Sequence, residues 1–138
     1  MASNNTYQTE YPQSPPDWYW AKGLHDACIF DVEAIEFPFD YETYTKQKNG
    51  YVRNMLTFKV DSKMAMFDCH VKEIRFYNYK ILSDGIALTE RKKMWWLADK
   101  LTKVDGKYIL EITLHYTESK PEQFSFKVKF DRAEVDRD

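Results

Sequence analysis

The chain has 138 residues, with 20 Lys and Arg against 22 Asp and Glu, a formal charge of −2. That length points to one domain, and the near balance of charge gives no global pull toward nucleic acid or an anionic membrane. Four Gly and two Cys exclude collagen-like and disulfide-scaffold proteins, no apolar run approaches a membrane helix, and 17% aromatic residues are ample for one core.

Residues 1–16 are polar, aperiodic and hold three of the five Pro, so a flexible N-terminal tail is expected, followed by one domain over residues 17–138. The tail lacks the basic-then-apolar order of a secretory signal. A cytoplasmic location follows as the expectation, with Cys28 and Cys69 as reduced thiols. Asp17 is placed to cap a helical turn running through Trp18, Tyr19 and Trp20 toward Gly23, which would set two indoles against the domain.

From Leu24 onward the pattern is strand-like. Residues 28–37 and 71–82 read as strands that switch phase midway, which calls for a bulge or a bend. Val52, Leu56, Phe58 and Val60 face one way, against Arg53, Thr57 and Lys59. Residues 40–48 fit a strand ending at Asn49-Gly50 or a short helix capped by Asp40 and stopped by Gly50, but a loop or irregular turn is the expectation. Residues 94–104 and 107–117 are long strand candidates joined by Asp105-Gly106, whose residue types supply the positive φ angles of a tight hairpin. Asn49-Gly50 and Asp84-Gly85 carry the same turn signal. Phe124, Phe126, Val128 and Phe130 alternate strictly with Ser125, Lys127 and Lys129. The two lysines look like protection of a sheet edge. Residues 131–138 alternate in charge and are expected to fray. The sum is an all-β fold: an antiparallel β-sandwich or compact, partly open barrel of six or seven strands behind a short N-terminal helical turn.

Chemistry-bearing groups are sparse. His25 and Asp26 form a polar pair that would cooperate only within a turn; the plainer role is bonding to free backbone groups. His25, His70, His115, Cys28 and Cys69 show no zinc spacing, so no metal is expected. Cys69 beside His70 would point to opposite faces of a strand. Asp31 and Glu33 share a strand face with no sign of paired-carboxylate chemistry. There is no nucleophile elbow and no Gly-rich phosphate loop, hence no expected cofactor or catalytic residue.

The aromatic clusters remain. Arg91-Lys92-Lys93 precedes Trp95 and Trp96, and Tyr77 and Tyr79 share one strand face. Exposed on a concave surface, these rings would stack on a ligand; otherwise they fill the core. The leading expectation is a non-catalytic domain that binds a protein partner or a second copy of itself. The alternative is a ligand-binding barrel whose pocket, lined by Tyr77, Tyr79, Trp95 and Trp96, holds a small apolar or carbohydrate molecule. Neither reading involves nucleic acid or a membrane.

Overall fold

The computed structural model describes residues 9–10, 16–20, 24–38, 52–63, 65, 70–83, 93–116 and 122–137. These form one sheet of β1 (Thr9–Glu10), β2 (Cys28–Glu36), β3 (Asn54–Asp61), β4 (Val71–Tyr77), β5 (Lys80–Ile81), β6 (Met94–Val104), β7 (Lys107–Tyr116), β8 (Glu122–Phe130) and β9 (Arg132–Arg137). The path is β5-β8-β7-β6-β2-β3-β4-β9, antiparallel throughout, with β1 added in parallel to β6. The all-β, antiparallel architecture expected from the alternation is therefore present.

Two bent chains make the sheet coil upon itself. Tyr77 pairs with Arg132 and Lys80 with Lys129, so β4–β5 and β8–β9 face each other in one register across a shared kink. The two ends of the path are thus continuations of strands inside it. Rings from walls that are not neighbours in the sheet meet in the interior: Phe58 of β3 lies 5.8 Å from Phe126 of β8, and Phe76 of β4 lies 4.8 Å from Phe130. All four are essentially fully buried, each contributing roughly 1.5–3 kcal/mol by leaving water. The seam is β2–β6, where only Cys28 with Trp95 and Ile29 with Met94 pair. A partly open barrel is the result.

The phase switches have local causes. Phe30 is an extra residue on β2 opposite β3. In the 71–82 stretch the break is at Asn78, with φ of 54°, a left-handed conformation that Asn tolerates better than most residues. Its N–H donates to Asn54 O, and its side-chain amide donates to Asp131 at 2.8 Å. Asn54 in turn holds both the N–H and the carbonyl of Tyr79. The Asp105-Gly106 hairpin forms with φ of 52° and 79°, as its residue types require. The Asn49-Gly50 and Asp84-Gly85 turns and the loop 40–48 lie outside the described residues.

Two expectations are corrected. Residues 132–137 do not fray but form β9, because Ala133 and Val135 pack toward the core while Glu134 and Asp136 meet Arg75 of β4. Lys127 and Lys129 do not guard an edge. That part of β8 has β7 on one side, with Lys127 opposite Glu111, and β5 and Leu82 on the other. At the N-terminus, Tyr19 N–H closes one turn onto Pro16 O, with Trp18 and Trp20 packed on the core. Within the stretch expected as a tail, Thr9 and Glu10 pair with Asp99 and Lys100.

Candidate functional site

The singled-out aromatic and polar residues fall in three separate places. The first is internal. Leu97 is an extra residue on β6, and the shift it introduces turns Asp99 inward beside Trp96 and Leu101. Asp99, 5% exposed, accepts hydrogen bonds from Tyr19 Oη, from Trp20 Nε1 at 2.9 Å and from Trp96 Nε1 at 2.8 Å. Burial pushes its carboxyl up to about 6, against the pull of these three donors. The cluster pins the N-terminal turn to the barrel. Trp96, expected as a ligand-stacking ring, is 1% exposed and meets Trp20 edge-on at 5.3 Å.

His25 belongs to the same region. Its Nδ1 lies 2.9 Å from the carbonyl of Leu97, so the imidazole satisfies the backbone group freed by the bulge. Leu24, His25 and Asp26 do lie in a turn, and His25 Nε2 is 3.6 Å from Asp26 Oδ2. The imidazole is nevertheless 6% exposed, which leaves little access for a substrate.

The second place is the outer face of β4 and β9. Arg75 bonds Glu73 and both carboxylate oxygens of Asp136, and it reaches the Tyr77 hydroxyl at 3.3 Å. Tyr77 donates to Glu134, and Arg132 lies over its ring at 4.2 Å. One face of that ring is thus already covered. Burial, then Glu134, raises the Tyr77 hydroxyl. Tyr79 packs partly against the core, its hydroxyl raised by burial and by Glu36. Trp95, half-buried, sits across β2 and β3 from Tyr77 in the sheet order. Tyr77, Tyr79, Trp95 and Trp96 are therefore not gathered around one pocket.

The third place was not singled out as a site from sequence, apart from its carboxylates. After the Phe30 bulge, β2 leaves β6 and runs on with β3 as its ladder partner among the described residues. Phe37 N–H donates to Arg53 O at 2.8 Å. By antiparallel alternation Glu33 and Ile35 also turn their backbone groups to β3, whereas Ala34 and Glu36 turn theirs outward. Among the described residues no strand pairs with that side of β2 over residues 32–36. Apolar side chains flank it: Phe30 is 46% exposed, Ile35 36% and Phe37 39%. Three carboxylates, Asp31, Glu33 and Glu36, stand on the strand with no Lys or Arg from residue 28 to 37; Lys59 of β3 lies 3.6 Å from Glu33. An alternation of apolar and acidic residues was visible in the sequence, but which edge lacks a neighbour is a property of the pairing.

Among the described residues no group of three or more His, Cys, Asp and Glu is placed to hold a metal, and no helix is long and apolar enough to cross a membrane. Cys28 is half-buried; Cys69, Arg91 and Lys92 lie outside the described residues. No family model, curated protein or solved structure matches the chain.

Proposed function

We propose that this chain is a non-catalytic, cytoplasmic interaction domain that takes an extended segment of a protein partner as an added strand along β2. The observation that carries this reading is the edge at residues 32–36, which no strand among the described residues covers and which exposed Phe30, Ile35 and Phe37 border. An unpaired edge offers main-chain hydrogen bonds to any extended segment, and its side chains select among them. The acidic and apolar composition of β2 selects a segment in which apolar residues alternate with Lys or Arg. A second copy fits less well, because it would bring Glu33 and Glu36 against their own kind.

Fluorescence polarisation with two labelled octapeptides tests this, one alternating Val and Lys, the other Val and Glu. The Val/Lys peptide binds and the Val/Glu peptide does not. Ala34→Pro removes one outward N–H and no β3 bond, so it abolishes binding while circular dichroism stays unchanged. Equal binding by both peptides, or binding unaffected by Ala34→Pro, overturns the proposal. So does a dimer in sedimentation that Ala34→Pro dissolves, which would make the second copy the true occupant.

A further inference from the structure

The kinks of the two bent chains and the tip of the β6–β7 hairpin meet at one end of the barrel. Between them is a cleft of about 420 Å3, lined by Val52, Asn78, Gly106, Lys107, Asp131 and Arg132. That volume lies within the range of small-molecule sites, roughly 300–1,000 Å3. No β2 residue lines it, so it is independent of the edge described above.

Its charge is unlike that of the whole chain. The protein carries −2, yet Lys107 and Arg132 line the cleft, and Arg53 is near enough to act on Asp131. Among the described lining residues the one carboxylate, Asp131, is already engaged. Burial works to raise Asp131, but Lys107 bonds one oxygen and Asn78 the other, and together with the Arg53 charge they hold it below the usual carboxylate range. Arg132 is held differently. Its guanidinium carbon lies 4.2 Å from the centre of the Tyr77 ring, and its Nη1 is 4.0 Å from Glu134 Oε2. The ring contact holds the guanidinium in place, and among the described residues its N–H groups donate no side-chain hydrogen bond, so they are available for a fork-like contact with an oxyanion. Beside it, Gly106 has nothing within 4 Å of the position a Cβ would take, so the wall there is open.

We infer that this cleft binds the phosphate group of a small molecule, with Arg132 as the bidentate donor and Lys107 and Arg53 supplying the balancing charge. Phosphate has acceptor oxygens enough for all three cations. Asp131 offsets one of the three cations, so a net positive charge remains for the phosphate.

The test is a titration with pyrophosphate and with ribose 5-phosphate, followed by amide chemical shifts and by the unfolding temperature. Both ligands shift amides of residues 106, 107 and 132, raise the unfolding temperature, and bind more weakly as salt increases. Arg132→Met keeps the stem over Tyr77 and removes the fork, so it weakens binding roughly tenfold or more. Arg53→Gln, which leaves the Lys107–Asp131 pair intact, weakens it less. No shift at millimolar ligand overturns the inference, as does a shift that survives Arg132→Met unchanged. If ribose 5-phosphate shifts residues elsewhere, the cleft is not the site. Peptide binding at β2 is unaffected in Arg132→Met, so failure here and failure at the edge are read separately.

Discussion

Trp96 Nε1 and Asp99 Oδ2 are 2.8 Å apart although the two residues stand three apart on one strand. In a regular strand that spacing puts side chains on opposite faces. The extra residue Leu97 brings them to the same side, and His25 satisfies the carbonyl that the bulge leaves over. A carboxylate inside an aromatic core follows from this single irregularity, together with the site to which the N-terminal turn is fastened.

Asp99→Ala leaves the Tyr19 hydroxyl and two indole N–H groups buried without their acceptor. Relief of the buried charge offsets part of the cost, and a net loss of about 2–4 kcal/mol in urea unfolding is expected. Tryptophan fluorescence shifts to the red as Trp20 leaves its site. A variant as stable as the parent would show that Asp99 does not fasten the turn.

The pH dependence follows from the direction of the Asp99 displacement. The folded protein holds the Asp99 proton up to about 6 against an ordinary 3.8. Its contribution to stability is fully present below 3.8 and is lost as pH rises through 6. The displacement corresponds to roughly 3 kcal/mol as a ceiling. Asp131 and Asp136 act oppositely: both are held below the carboxylate norm, so their contribution is lost at acid pH. Stability is expected to rise between pH 7 and pH 5 and to fall in more acid solution. Asp99→Asn removes the rise, and denaturant titrations at matched ionic strength measure it.

Arg75→Met tests the fastening of β9. Arg75 links Glu73, Tyr77, Glu134 and Asp136 on a half-wet face, so solvent screening limits the loss to about 1 kcal/mol. The loss is local. Amide exchange quickens in residues 132–137 and stays slow in β7, and uniform quickening across the sheet would contradict a local role.

Asn78 separates backbone geometry from side-chain bonding at the kink. Asn78→Gly keeps the positive φ and loses the bond to Asp131, at a cost of about 1 kcal/mol. Asn78→Val forces a β-branched residue into the left-handed region and costs about 2–3 kcal/mol more. Equal stability of the two variants would mean that the kink relaxes without the left-handed residue.

The strands were legible because one wet and one dry face impose a period of two. Thus Phe124, Phe126, Val128 and Phe130 announced β8, and the residue types of Asp105-Gly106 announced their hairpin. The phase switches at Phe30 and Asn78 were legible as irregularities. β9 was not, because two apolar residues among charges resemble a solvated end until Arg75 is seen across from them. Asp99 was missed too, since an acid in a Trp-rich strand carries no periodic mark of burial. Its only signal was the presence of Tyr19, Trp20 and Trp96, whose polar hydrogens need an acceptor once buried.

Alternating hydrophobicity and a surplus of rings indicated, from the sequence alone, an aromatic-cored all-β sheet with Asp105-Gly106 at a hairpin turn. Those properties depend on composition and on neighbours a few residues apart. Which strands adjoin, where β2 parts from the described length of β6, and how Lys107 and Arg132 come to share a cleft depend on pairings between residues far apart in the chain. Long-range register is decided by the mutual fit of whole strands around one core, and no local pattern encodes it.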